Sequence, residues 1–310
     1  MKGKSEIPLI SIIIPTFNQA NYLPLAINSC LSQTYPRLEI IVSDDCSSDS
    51  TAEVMTQFSD YQNIFYYRQT ENLGRVGNYR KLLNEYASGE WVLNLDGDDY
   101  YNEDTFVERA LKTMSTFKSE DVVFIMSGKR VVNTMTLSER IRPVVKKNRI
   151  VSGKDYFKNE YFSLDNFSHS AAIFRRSAAK KVGFYTFDSV NTDAHSFLRL
   201  SLSGKVILLE GTPLSWVIHG DNQSNLYSFG ENSAERAAME DVAKYASSHL
   251  TKEEVQGWLV RLDKREQLRD LNHKFKTLHR GDFINYLSAN GSWDVASLKL
   301  FIKAIIGYQR

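Results

Sequence analysis

The chain has 310 residues, 42% hydrophobic and 12% aromatic against 24% charged, which excludes long disorder and supplies a buried core for one large or two ordinary domains. Its 38 basic and 37 acidic residues leave a net charge of +1, so no whole-chain field neutralises phosphates, and nucleic acid is not expected as a partner. Two cysteines, Cys30 and Cys46, give neither a disulfide framework nor a paired zinc pattern, which points to a reducing compartment. No window offers about 18 uninterrupted apolar residues for a membrane span, and the N-terminal residues lack the apolar stretch and cleavage site of a signal peptide. The expected location is the cytoplasm, at most on the inner face of the cytoplasmic membrane.

Residues 9–14 form a β-branched run that stops at Pro15, the pattern of a strand buried on both faces. A helix follows, capped by Asn21, with Leu23, Ile27, Cys30 and Leu31 on one face and Pro24 in its first turn. Residues 38–42 are the second strand, and Ser50 with Glu53 makes a capping box ahead of a helix carrying Val54, Met55 and Phe58. A third strand at 64–67 precedes the helical stripe Val76, Tyr79, Leu82, Leu83 and Tyr86, closed by Gly89, and 91–95 is the fourth strand. This alternation predicts an α/β fold, a Rossmann-like, mostly parallel sheet flanked by helices. A helix over 103–117 and a strand over 122–126 continue it, whereas 127–165 give no clear element and carry the basic stretch Arg140, Arg142, Lys146, Lys147 and Arg149, read as a solvated loop. From about residue 233 the chain reads as helices, with Ala234, Ala238, Val242 and Tyr245 on one and Val255, Trp258, Leu259 and Leu262 on the next.

Ligands of open α/β sheets bind beyond the carboxyl ends of the strands, and those ends carry Pro15-Thr16-Phe17-Asn18, Ser43-Asp44-Asp45-Cys46-Ser47-Ser48 and Asp96-Gly97-Asp98-Asp99. Carboxylates crowded on one edge repel and raise one another's pKa, so they call for a cation or for hydrogen-bond donors. Asp96-Gly97-Asp98 suits a hard divalent cation, Mn2+ or Mg2+, which takes one or two protein carboxylates and leaves other positions to a nucleotide diphosphate. The competing reading is an acidic turn ahead of the next helix. Asp44 and Asp45 can accept hydrogen bonds from a base or a ribose, and equally belong to a loop rich in helix caps.

Taken together and in this order, Pro15-Thr16-Phe17-Asn18, Asp44-Asp45-Cys46-Ser47-Ser48-Asp49-Ser50-Thr51, Glu71-Asn72-Leu73-Gly74, Ala87-Ser88-Gly89-Glu90 and Leu95-Asp96-Gly97-Asp98-Asp99 resemble the family 2 glycosyltransferases of the GT-A fold, over roughly residues 8 to 225. The resemblance implies an inverting, metal-dependent hexosyl- or N-acetylhexosaminyltransferase that moves a sugar from a nucleotide-diphosphate sugar, a UDP-sugar by expectation, to a hydroxyl of a glycan or lipid-linked glycan in surface polysaccharide assembly. It places Pro15, Thr16, Asn18, Asp44, Asp45 and Asn72 with the nucleoside, and Asp96 with ribose, diphosphate and metal. Asp98 is the expected direct metal ligand, joined by Asp96 and by His219 of His219-Gly220-Asp221-Asn222, whose imidazole would favour manganese. The family's Glu-Asp pair ahead of a helix is Thr192-Asp193 here, which makes Asp193 the expected general base and Asp188 the alternative. His169, within Phe167-Ser168-His169-Ser170 of the acceptor half, fits either a residue lining the acceptor cleft or a structural histidine, and the structural role is the expected one.

The same resemblance divides the chain into a GT-A domain at 1–225, with a nucleotide-binding half at 1–100 and an acceptor half at 101–225, and a helical C-terminal region at 226–310. In the latter, Leu298, Phe301, Ile302 and Ile305 share a face beside Lys299 and Lys303, which fits either an interfacial helix at an anionic membrane or a core-facing helix. Two other functions compete. A phospho-receiver module also gathers carboxylates at strand ends, but the chain is far longer and lacks that pattern. A catalytically inactive sugar-nucleotide-binding or scaffold protein is the second, and the intact Asp-x-Asp argues against it.

Overall fold

The structure is a computed structural model that describes residues 7–163, 168–220, 222, 233–277 and 282. The chain falls into two compact units, Met1–Asn222 with Ala234–His249, and Gln223–Ser233 with Leu250–Arg310.

In the first unit β1 (Ile10–Thr16) is buried along its whole length because β2 (Leu38–Asp44) and β4 (Trp91–Asn94) pair with it in parallel on either side. That double coverage is why its sequence is almost continuously apolar. Pro15 lies past the last β1–β4 pair, Ile13 with Asn94, so its missing N–H costs no ladder bond there. Helix α1 (Leu23–Leu31) starts at Tyr22 with no side-chain cap, so Asn21 does not cap it. Its buried face is Leu23, Ala26, Ile27 and Cys30, as the spacing predicts.

Helix α2 (Thr51–Thr56) also begins differently from the expected capping box. Ser50 makes no side-chain cap bond, and Asp49 accepts instead from Thr51 N–H at 3.0 Å and from Ala20 N–H at 3.0 Å, which ties this loop to the end of β1. After β3 (Ile64–Arg68), helix α3 (Gly74–Lys81) widens into a π-helical turn, Leu82–Tyr86, ended by Ala87 N–H donating to the Leu82 carbonyl at 2.8 Å. Gly89 therefore does not close the helix. It is needed because its backbone passes against β1: its N–H donates to Ser11 Oγ at 2.8 Å, and an added Cβ would lie 2.7 Å from the Ser11 nitrogen.

A two-residue strand β5 (Tyr100–Tyr101), helix α4 (Phe106–Phe117) and the fully buried β6 (Val122–Met126) follow. Residues 127–163 then form elements with no periodic signature: β7 (Lys129–Asn133), β8 (Ser138–Arg142) and β9 (Arg149–Ser152), then α5 (Gly153–Asp155), a π turn at Tyr156–Glu160 and α6 (Tyr161–Ser163). All five residues of β8 are exposed, so no alternation of apolar and polar residues marks it as a strand. Arg149 is not simply solvated; its guanidinium makes a paired contact with Glu160 at 2.8 and 2.6 Å.

The unit is completed by β10 (Ala172–Arg175), α7 (Arg176–Lys181), α8 (Thr192–Ser201), β11 (Lys205–Leu208), β12 (Leu214–Ile218) and α9 (Ser233–Ala246). The main sheet has eight strands in the order β3-β2-β1-β4-β10-β6-β11-β9. Within it β10 runs antiparallel to both neighbours and β9 antiparallel to β11, while the other pairs are parallel. A smaller sheet has the order β5-β12-β7-β8.

The second unit contains α10 (Lys252–Thr277), on which Val255, Trp258 and Leu262 are buried. The stripe Leu298, Phe301, Ile302 and Ile305 lies outside the described residues. Among the described residues no helix is long and apolar enough to cross a membrane.

Two glycines separate close approach from propensity. Gly89→Ala must displace β1 backbone and is expected to lower stability by about 1–3 kcal/mol. Gly257→Ala, on α10 with nothing within 4 Å of the new Cβ, is expected to raise it by about 0.5–1 kcal/mol. Urea unfolding of both variants checks the contrast.

Candidate active site

The carboxyl edge of the main sheet collects the end of β1, the end of β2 and the loop after β4. Because β10 is antiparallel, the residues that precede it, His169–Ala171, arrive at that same edge. The first turn of α8 brings Asp193 to His169.

The first two loops brace one another. Asn18, held at φ 53°, accepts from Ser48 N–H at 2.8 Å and donates its own N–H to Ser47 Oγ at 2.9 Å. Thr16 Oγ1 donates to Gln19 Oε1 at 3.0 Å. Asp44 is fully buried and uses both oxygens locally, accepting from Ser47 N–H and from the Tyr66 hydroxyl, each at 2.8 Å. Asp45 accepts from Leu73 N–H at 2.7 Å, and Asn72 donates to the Asp45 carbonyl at 3.1 Å. Burial pushes the Asp45 carboxyl above its usual range, against the Leu73 and Gly74 amides. Thus the expected nucleoside residues Thr16, Asn18, Asp44, Asp45 and Asn72 do come together, with Asp44 shaping its loop from inside.

Gly97 lets the acidic turn after β4 pack under β1, since a Cβ there would sit 2.5 Å from Gln19 Oε1 and 3.1 Å from Thr16 Oγ1. The three aspartates of this turn diverge. Asp96 accepts from the Tyr79 hydroxyl at 2.7 Å and from Asn94 Nδ2 at 3.2 Å, and its other oxygen lies 3.0 Å from His169 Nε2. Burial opposes ionisation, but the charge and hydrogen bond of His169 and the Tyr79 hydroxyl hold Asp96 below the usual carboxylate range. Asp98 Oδ2 faces His219 Nε2 at 3.1 Å and Asn222 Nδ2 at 3.2 Å, and burial with the nearby Asp96 charge pushes its carboxyl up. The His219 ring stacks on Tyr22 with centroids 4.3 Å apart. Asp99 turns inward to accept from Val217 N–H at 2.9 Å, so it anchors the turn to β12.

Asp98 and His219 are therefore paired, whereas Asp96 is engaged elsewhere. Among the described residues no group of three or more His, Cys, Asp or Glu side chains is arranged to hold a metal, so the expected set of Asp96, Asp98 and His219 is not assembled. Asp221 lies outside the described residues.

Beyond this turn the site contains His169, expected to be structural, and Arg75, which carries no sequence motif. His169, 6% exposed, points its second ring nitrogen at Asp193 Oδ2 at 3.5 Å and stands edge-on to the Tyr79 ring. Burial disfavours its charge, yet the Asp96 and Asp193 carboxylates outweigh that and lift His169 to about 10. The Arg75 guanidinium lies 5.5 Å from the Tyr79 ring centroid and donates to the Ser189 and Val190 carbonyls at 3.0 and 2.8 Å. Burial raises the Asp193 carboxyl, but His169 and Arg75 bring it below its ordinary value. The alternative, Asp188, is exposed. No local pattern marks His169; only the reversed direction of β10 brings it to the edge.

This arrangement makes stability depend on pH. A histidine raised from 6.5 to about 10 in the fold contributes fully below about pH 6.5, and the contribution is lost as pH rises through 10. In EDTA, the urea midpoint is expected to fall between pH 7 and about pH 10, and His169→Gln is expected to flatten that slope. Equal slopes for both proteins would place the proton elsewhere.

Comparison with known proteins gives the family and the fold. The profile described as Glycosyl transferase family 2 matches residues 11–183, more than half of the chain. The chain is 34% identical over 102 residues to the poly(ribitol-phosphate) beta-N-acetylglucosaminyltransferase TarS of Staphylococcus aureus, a match covering 32% of this chain and 18% of that protein. It thus spans less than a fifth of that relative's length. The crystal structure of S. aureus TarS 1-349 in complex with UDP superimposes with a TM-score of 0.66 at 18% identity, covering 96% of this chain and 81% of that one. The mannosyltransferase PcManGT from Pyrobaculum calidifontis, in complex with GDP-Man and Mn2+, does so with a TM-score of 0.62 at 16% identity, covering 99% and 82%. At these identities the structural likeness establishes the GT-A fold alone, while the match over residues 11–183 establishes the lineage: the chain belongs to glycosyl transferase family 2.

Proposed function

We propose that the protein transfers a sugar from a UDP-sugar to a hydroxyl of a surface glycan with inversion at the sugar carbon. The observation that carries this reading is the convergence, on one sheet edge, of the Asp98–His219 pair with Asp193, the latter held ionised by His169 and Arg75. Membership of family 2, the UDP bound in the TarS structure and the polymeric acceptor in the TarS name support the donor and acceptor classes.

The nucleoside would lie against the loops of Pro15–Asn18, Asp44–Asp45 and Asn72, with the diphosphate at Asp96–Asp98. Asp98 and His219 fit a divalent cation: an oxygen and a nitrogen donor already 3.1 Å apart, with the Asp98 carboxyl pushed up as expected of a buried acid lacking a full counter-charge. Such an ion, manganese or magnesium, supplies charge that offsets what gathers on the departing diphosphate. Asp96, fixed by Tyr79 and His169, is placed to orient the donor. Asp193 Oδ2 takes the acceptor proton while the hydroxyl displaces the diphosphate in a single step, so configuration inverts and no covalent intermediate forms. His169 keeps Asp193 deprotonated before the acceptor arrives. Its position makes Asp193 a better-poised acceptor of the proton than the exposed Asp188.

Calorimetry with UDP-GlcNAc tests the cation assignment. Asp98→Asn is expected to abolish the gain in affinity that manganese gives the wild type, and an unchanged manganese dependence would remove Asp98 from the cation site. Turnover tests the base: Asp193→Asn is expected to lower it by about 10²-fold or more with UDP-GlcNAc affinity within about twofold. Wild-type turnover in that variant would move the role to another acid. Binding of UDP-sugars with no transfer by the wild type to any glycan would favour an inactive sugar-nucleotide-binding protein.

A further inference from the structure

Helix α9 lies beyond the family match at residues 11–183, yet it holds the turn that delivers Asp193. The first N–H groups of a helix have no partner within it, and Asn191, the residue capping α8, makes no side-chain bond to them. The Glu235 carboxylate, from the first turn of α9, does not reach those amides but holds the backbone just ahead of them. Its Oε1 accepts from Val190 N–H, and its Oε2 accepts from Asn191 N–H at 3.2 Å and from the Asn191 side-chain amide. On the other side of the same peptide units, Arg75 donates to the Ser189 and Val190 carbonyls. Val190 thus gives its N–H to an anion and its C=O to a cation, two residues ahead of Thr192 and three ahead of Asp193.

The hold continues along α8. Asp241 Oδ2 accepts from His195 Nε2 and Arg199 Nη1, both at 2.8 Å, and the Arg199 guanidinium sits 4.5 Å from the Tyr245 ring centroid. Ala238, Val242 and Ala246, four residues apart, are fully buried, and their small or short side chains let α9 pack closely. A helix needing only a cap could use its own Asn191. Holding the backbone ahead of the helix from a residue 44 positions on couples the placement of α8 to α9.

We propose that Glu235 is a positioning residue for the general base: with Arg75 it grips the backbone ahead of α8 from opposite sides and sets where Asp193 meets the acceptor. The inference rests on Asp193 being the base. It adds to the site a residue of α9, 42 positions beyond Asp193. Its leverage is geometric, since a misplacement on the order of 1 Å costs roughly 10²-fold in rate.

The test uses the full chain with manganese and UDP-GlcNAc, reading UDP release and backbone hydrogen exchange. In Glu235→Ala the amides of Val190 and Asn191 are expected to exchange at least about tenfold faster, with those of β1 and β4 unchanged. The kcat is expected to fall about ten- to a hundredfold with KM for UDP-GlcNAc within about twofold, and Glu235→Gln, which keeps one of the two acceptor oxygens, is expected to recover part of the loss. Because Glu235 acts through Asp193, the double variant Glu235→Ala/Asp193→Asn is expected to be no slower than Asp193→Asn alone. Unchanged exchange at Val190 and Asn191, a KM effect without a kcat effect, or a double variant slowed by both factors multiplied would each overturn the proposal. Normal turnover by Asp193→Asn defeats the assignment of the base, whereas an impaired Asp193→Asn beside an unaffected Glu235→Ala defeats the positioning role alone.

Discussion

The site depends on how buried negative charge is compensated at one sheet edge. The buried Asp44, Asp45 and Asp99 and the half-buried Asp96, Asp98 and Asp193 could not remain near one another without donors and cations among them. The fold separates them by function. Asp44, Asp45 and Asp99 are satisfied by amides and a hydroxyl and become part of the framework. Asp96 and Asp193 share His169, whose two ring nitrogens face one carboxylate each, so the single positive charge of the protonated ring serves two acids. Among the described residues Asp98 faces a histidine and an amide, and burial with the nearby Asp96 charge keeps its carboxyl raised.

Much of this was legible in the sequence where burial is two-sided. The runs that became β1, β2, β4 and β6 are apolar because sheet neighbours and helices cover them, and that coverage writes itself directly into residue type. The loops at their ends were found for the same reason, since sheet topology dictates where ligands bind. What escaped was set by tertiary geometry. β8 is exposed throughout and carries no periodicity. Gly89 looks like a helix stop but answers to the backbone of β1. Ser50 and Glu53 fit a capping box, yet Asp49 had the better position because it could also reach Ala20 across the loop.

The residues at the site divide in the same way. Asp96, Asp98, His219 and Asp193 are recognisable from short motifs, each at the end of a strand or the start of a helix. His169, Arg75 and Glu235 are not, because nothing near them in sequence announces a role. His169 depends on the direction of β10, Arg75 on α3 facing the loop ahead of α8, and Glu235 on α9 returning to that loop. Charge partners of catalytic carboxylates are often of this kind: their chemistry is generic, and only the distance makes them specific.

The antiparallel β10 has a consequence for how the protein forms. It pairs Ile173 with Leu93 on one side and with Ile125 on the other, so the middle of the sheet is closed by a strand made long after both its neighbours. Contacts of such high sequence separation are slow to form because the intervening chain must be ordered first. As the chain leaves the ribosome, β1 to β4 can assemble as a parallel half, but β4 and β6 keep apolar inner edges open until residues 172–175 have been synthesised. Unpaired edges of that kind invite pairing with other chains. The same reversal that carries His169 to its carboxylates thus makes the nascent protein most exposed to aggregation just before its site can exist.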